Sequence, residues 1–217
     1  MAIFTSSGFL LQGLGEEKEN RVMEILLSSV SPRQLITGKV LGLGAAGLVQ
    51  IVIWLVSARY LADMASTSIG GMLSTLSISG EFLLVSLVYF ILGYLLFAII
   101  MAGAGSIGAT ARESQQLSVV FTLSAVVPFY FIAAIMENPD GMVSRVLTFI
   151  PFTAPITVMM RMGIAEIPMW QLGISVTLII ATIFGLLFIV AKIFRTFLLM
   201  YGKTPKLGEI IRMLRQA

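Results

Sequence analysis

Of the residue types that do chemistry in proteins, this chain of 217 residues lacks two altogether, histidine and cysteine. Without them there is no thiolate nucleophile, no disulfide, no sulfur or imidazole metal ligand and no imidazole general base. Carboxylates and cations remain, and one of the few strongly charged runs is Glu16-Glu17-Lys18-Glu19-Asn20-Arg21-Val22-Met23-Glu24-Ile25-Leu26-Leu27. On a helix, at about 100° per residue, Glu17, Asn20, Arg21 and Glu24 project to one side and Val22, Met23, Leu26 and Val30 to the other. A helix so divided suits a bilayer surface. It reads either as a solvated loop helix held by the membrane or as a docking helix whose polar side faces a cytoplasmic partner.

Two glycine patterns imitate nucleotide sites. Gly103-Ala104-Gly105-Ser106-Ile107-Gly108 fits G-x-G-x-x-G, but it closes an apolar run instead of joining a strand to a helix, so helix packing is the expectation. Gly202-Lys203-Thr204 copies the end of a phosphate-binding loop, yet Phe197 stands where the first glycine of that loop is required. The expectation is a chain that binds no cofactor and carries no ATPase site. Any ATP-driven work is then powered by another polypeptide.

The elements that position the charged run are set by composition. The chain is 58% hydrophobic and 12% charged, whereas a soluble surface carries roughly 25–35% charged residues. This excludes a soluble domain and implies an all-α polytopic membrane bundle in a lipid bilayer. The net charge of +3 does not point to nucleic acid, because the basic residues sit at span ends, where orientation in the membrane accounts for them.

Taken in order, residues 1–14 are apolar but too few to cross alone, and they read as the inner part of a span that begins upstream of Met1. The charged helix covers 16–31. Apolar runs at 35–62, 82–107, 117–136 and 170–191 are complete spans, the third with Pro128 as a kink and the last opened by Trp170 at the interface. Gly38, Gly42, Gly44 and Gly47 with Ala45 and Ala46 smooth one side of the 35–62 span for close helix contact. Between the last two spans, 141–165 holds apolar pieces too short to cross, which suits a re-entrant helical hairpin. Its limbs are Val143 to Ile150 and Pro155 to Met162, with Pro151 as the breaker. A short amphipathic helix over 204–215, capped by Thr204 and Pro205, lies along the membrane surface.

Eleven of the 14 Lys and Arg fall on the side of the charged run, and only Arg59, Arg145 and Arg161 fall on the other. That asymmetry places the charged helix, the Arg112 turn and the C-terminus inside the cell, and the hairpin outside. No Asp, Glu, Lys or Arg lies at mid-depth of a span, which argues against an ion-coupled carrier or an intramembrane protease. The most polar residues there are Gln50, Ser57, Ser86, Tyr89, Tyr94 and Ser124, which serve either a pathway or hydrogen bonds between helices.

The run Glu17-Lys18-Glu19-Asn20-Arg21-Val22-Met23-Glu24-Ile25-Leu26-Leu27, then Ser31-Pro32 and Gly38-Lys39, resembles the E-x-E-x-x-x-x-E-x-L-L…S-P…G-K pattern of permease subunits of type-2 ABC exporters, the group that includes sodium- and drug-export permeases. Pro151-Phe152-Thr153-Ala154-Pro155 with Met159, Met160 and Arg161, and Tyr201-Gly202-Lys203-Thr204-Pro205 with Leu207, Glu209 and Ile210, extend the likeness along the chain. The resemblance implies a half-transporter of six spans, about five of them in this chain. Glu17, Glu19, Arg21 and Glu24 would couple to a cytoplasmic ABC ATPase subunit that binds ATP and Mg. Phe149, Pro151, Phe152 and Pro155 would belong to an extracellular gate hairpin. It further implies a second permease copy or homologous half, a cell-membrane location and export of the substrate. Val22 departs from the pattern, standing where Thr is expected. Two other classes stay open on the residues alone, a secondary carrier or channel and a non-transporting membrane scaffold.

Overall fold

A backbone in lipid must satisfy its own hydrogen bonds, and long apolar runs with few breakers do so as helices. The structure, a computed structural model, describes residues 2–20, 22–68, 80–108 and 110–197. Among these residues every regular element is a helix: α1 (Ala2–Glu19), α2 (Val22–Ser29), α3 (Pro32–Ser68), α4 (Gly80–Ile107), α5 (Ala111–Tyr130), α6 (Ile132–Glu137), α7 (Met142–Phe149), α8 (Ala154–Met162) and α9 (Met169–Phe197). The chain is thus a helical membrane bundle. Among the described residues three helices are long and apolar enough to cross a bilayer, through Thr37–Trp54 of α3, Gly80–Ile107 and Met169–Val190 of α9. The expected tail helix over 204–215 lies outside the described residues.

The core is built around α4, which is apolar on nearly every side and buried over most of its second half, from Tyr89 to Ser106. One face, through Tyr89, Leu96, Phe97 and Ile100, packs with Ala125 of α5, Val158 of α8 and Ile179 and Ile183 of α9. The other, through Phe90, Tyr94, Ala98 and Ala102, packs with Leu10 and Leu14 of α1 and with partly buried Val40, Leu43 and Leu48 of α3. Buried positions on α1 (Ser7, Leu11, Leu14, Lys18) recur at helical spacing, so this helix lies with one stripe against its neighbours.

Small residues set how closely the helices approach. A Cβ on Gly44 would come within 2.7 Å of the Tyr94 ring, and one on Gly47 within 2.5 Å of Ser6 Oγ. Gly38 and Gly42 face open space instead. The G-x-G-x-x-G glycines are contact points on three helices: Gly103 meets Val190 of α9, Gly105 meets Leu14 of α1, and Gly108 meets Ser114 of α5. A Cβ on Gly15 would lie 2.9 Å from the Ala111 Cα, a backbone atom.

Two expected elements are corrected. The helix expected over 16–31 is divided. The Asn20 N–H closes the last turn of α1 on Glu16 O at 2.9 Å, and a new helix starts at Val22. It ends where Ser31 opens α3 with a reciprocal cap. The Ser31 N–H donates to Gln34 Oε1 at 3.0 Å and the Gln34 N–H donates to Ser31 Oγ at 3.3 Å. The span expected over 117–136 passes through Pro128 without ending there and stops at Tyr130. Phe131, at φ −103° and ψ 16°, separates it from α6. Pro128 has no N–H to give and crowds the preceding turn, so the helix cannot be regular past it for long.

Gly15→Ala is expected to destabilise the protein by about 1–3 kcal/mol, the usual cost of overpacking a site that cannot yield. Gly42→Ala, which meets nothing, is expected to be neutral or slightly stabilising through helix propensity. Thermal unfolding of both variants in detergent checks the contrast.

Candidate functional site

The charged run becomes a site because it lies at the last turn of α1, where three neighbouring helices converge. Successive residues there project about 100° apart, so Glu17, Lys18 and Glu19 fan out to three different partners. The Glu17 carboxylate pairs with Lys39 of α3. Lys18 Nζ donates to Ser106 O, in the last turn of α4, at 2.6 Å. The Glu19 carboxylate accepts from the Ala111 N–H, at the first residue of α5, at 3.1 Å.

The signs of these contacts match the ends they touch. A cation meets the carbonyl end of α4 and an anion meets the amide end of α5, each favourable against the helix dipole. Lys18 is 4% exposed. Burial pushes its pKa below the ordinary lysine value, and the carboxylate of Glu113 opposes that shift. Glu113 stands in the first turn of α5, which Thr110 caps by accepting from the Glu113 N–H at 3.2 Å. Beyond this junction, α2 turns Val22 and Ile25 outward, the latter 71% exposed.

Of the four expected coupling residues, Glu17 and Glu19 tie α1 to α3 and α5. Arg21 lies outside the described residues, as does the side chain of Glu24. Lys18 is the residue that sequence reasoning missed. Its signal was spacing: it continues the stripe of Leu11 and Leu14 at i+7 and i+4, the same stripe that is buried.

At the other end of the bundle, α7 and α8 form a helix–turn–helix. Thr153 ties its turn, donating from Oγ1 to Leu147 O at 2.6 Å. The expected gate residues spread around this turn: Phe149 meets Trp170 of α9 with ring centroids 6.2 Å apart, and Phe152 meets Phe121 of α5 at 6.4 Å. Pro155 is buried where α8 crosses α4, its Cγ 3.0 Å from where a Cβ on Gly93 would stand. Pro151 is half-buried in the turn. Arg161, grouped by sequence with the outer charges, is instead enclosed, at 1% exposure. It too was marked by spacing, since Ala154, Thr157, Val158 and Arg161 form one buried stripe of α8.

Three of the polar residues within the spans join helices, Ser86 by donating from Oγ to Met159 Sδ of α8 at 3.2 Å. Tyr94 donates from its hydroxyl to Val40 O of α3 at 2.7 Å, and Tyr89 to Leu172 O of α9 at 3.4 Å. Ser124 bonds within its own helix, to Phe121 O. Among the described residues no three Asp or Glu side chains converge as a metal site would require.

The sequence profile of ABC-2 family transporter proteins matches residues 1–192. An uncharacterized protein of Methanocaldococcus jannaschii is 30% identical over 214 residues, 99% of this chain and 51% of that protein. The uncharacterized protein YhaP of Bacillus subtilis is 31% identical over 222 residues, 100% of this chain and 53% of that protein. The chain thus spans about half the length of the curated relatives it matches. No solved structure matches it.

Lys18→Ala is expected to cost about 1–3 kcal/mol, because it removes a charged donor from a buried acceptor. Lys39→Ala, whose pair with Glu17 is partly solvated, is expected to cost only about 0–1 kcal/mol. Thermal unfolding in detergent, run on both, checks the order.

Proposed function

We propose, from the premise that this chain belongs to the ABC-2 family of transporter proteins, that it is the membrane permease part of an ATP-driven exporter and that its α1–α2 junction receives the driving force. The protein lies in the cell membrane with the charged junction and the C-terminus on the cytoplasmic side, the side that collects most of its lysines and arginines. A separate cytoplasmic ABC ATPase binds ATP and Mg there. A second permease copy or homologous half completes the pathway, six spans on each side, and the α7–α8 hairpin is the re-entrant outer gate. The resemblance of residues 17–39 favours the sodium- and drug-export permeases within the family.

The observation that carries this reading is the fan of ties from Glu17, Lys18 and Glu19 to α3, α4 and α5. A push on α2 cannot move α1 alone, because the last turn of α1 is bonded to all three. ATP-driven closure of the partner would then bias the whole bundle between two arrangements, which is what coupling requires. Within the run the labour divides: Arg21, Glu24 and the outward face of α2 meet the ATPase, while Glu17 and Glu19 pass its motion inward.

The test is co-purification of the full-length protein with an ABC ATPase, followed by nucleotide hydrolysis in lipid nanodiscs. Glu24→Lys is expected to lower hydrolysis by about tenfold, a rough figure for a lost interfacial charge pair, without altering thermal unfolding. Glu17→Lys is expected to lower both, and adding Lys39→Glu to restore both. Substrate flux in vesicles without nucleotide would favour a carrier or channel, and a stable complex without flux would favour a scaffold.

A further inference from the structure

Arg161 ranks first by size among the fully buried side chains of the described residues, and its donors are shared among three elements. One terminal nitrogen donates to Thr148 Oγ1 of α7 and to Gln171 Oε1 of α9, both at 2.9 Å. The other donates to Asp140 Oδ1, in the turn before α7, at 2.8 Å. The Nε, equally buried, bonds to nothing in the protein.

The surroundings leave the guanidinium little choice. Thr148 is held in place, its hydroxyl donating to Ser144 O at 2.7 Å and its carbonyl accepting from Ser175 Oγ of α9 at 2.8 Å. Arg145 of α7 adds a like charge close enough to repel. Asp140 is the carboxylate that bonds the buried cation, and the side chain of Asp140 is 53% exposed. A charge shut away from water therefore depends on a counter-charge that water reaches freely.

We infer that Arg161 is a positioning residue and that its pair with Asp140, made at the entry to α7, is a latch that keeps the guanidinium on Gln171 of α9 and so fastens the α7–α8 hairpin to α9. With the latch closed, the three elements move as one body. With Asp140 withdrawn, a buried charge is left uncompensated, a state so unfavourable that the hairpin lifts from α9 until the guanidinium reaches water. That the latch serves an outer gate during transport rests on the exporter reading; the latch itself does not.

The test uses Ser175→Cys in the full-length protein, with any cysteine outside these residues replaced by serine, in lipid nanodiscs. Ser175 of α9 is fully buried against Thr148 of α7, so its labelling by a water-soluble maleimide reports lifting of the hairpin. Asp140→Asn is expected to raise the labelling rate by about tenfold, an order-of-magnitude figure for removing one half-exposed partner of a buried cation. Asp140→Glu is expected to leave the rate near the parent's. In an Arg161→Met background, which removes the charge and keeps the volume, Asp140→Asn is expected to add no further increase. An unchanged rate in Asp140→Asn, or the same increase with and without Arg161, would overturn the latch. Failure to find nucleotide-driven transport while these rates behave as stated would sink the exporter reading and leave the latch standing.

Discussion

An ammonium group taken out of water must find an acceptor, and Lys18 finds its acceptor at the end of another helix. That one requirement sets how α1, α4 and α5 meet. The carbonyl of Ser106 belongs to the last turn of α4, where no residue further along the helix is left to bond it. Once Lys18 is seated there, the 100° step to either side carries Glu17 to Lys39 and Glu19 to the first amide of α5. The glycines at 15, 105 and 108 are needed because the backbones so joined lie too close for larger side chains.

A second buried cation governs the opposite end. Arg161 is close enough to Tyr89 for the two to interact electrostatically, and Tyr89 lies on α4 about 25 Å along the helix from Ser106. Between the two cations α4 is apolar and mostly buried. The central helix therefore runs from a charged anchor at one end to a charged anchor at the other, with hydrophobic packing and the Tyr94 bond to Val40 O in between. Packing of that kind has no preferred direction and tolerates small sliding, whereas the bonded ends do not.

Much of the architecture was legible in the sequence because length and hydropathy suffice for it. The runs behind α3, α4 and α9 contain no breaker, and Pro151 and Pro155 mark the turn between α7 and α8 by removing backbone donors. The division after Glu19 was not legible. Helical periodicity runs through it unbroken, and the side chains before it bind three other elements, which no local pattern records. Glu17 and Glu19 were found as charged residues, but their partners lie far along the chain at Lys39 and Ala111. Lys18 and Arg161 were passed over for the opposite reason. Each was read by its charge, as a solvent-facing residue, when its position on an apolar stripe was the better guide.

The contact between Gly15 and the backbone of Ala111 lies one turn from the charged end of α1 and far from the other. From Gly15 to Glu19 is about 6 Å along the axis, and from Gly15 to Ala2 about 20 Å. A rigid α1 that tilts about this tight spot behaves as an unequal lever. Its far tip sweeps roughly three times the distance moved at the near one, and the ring of Phe4, tilted against that of Phe97 with centroids 5.0 Å apart, rides on the long arm.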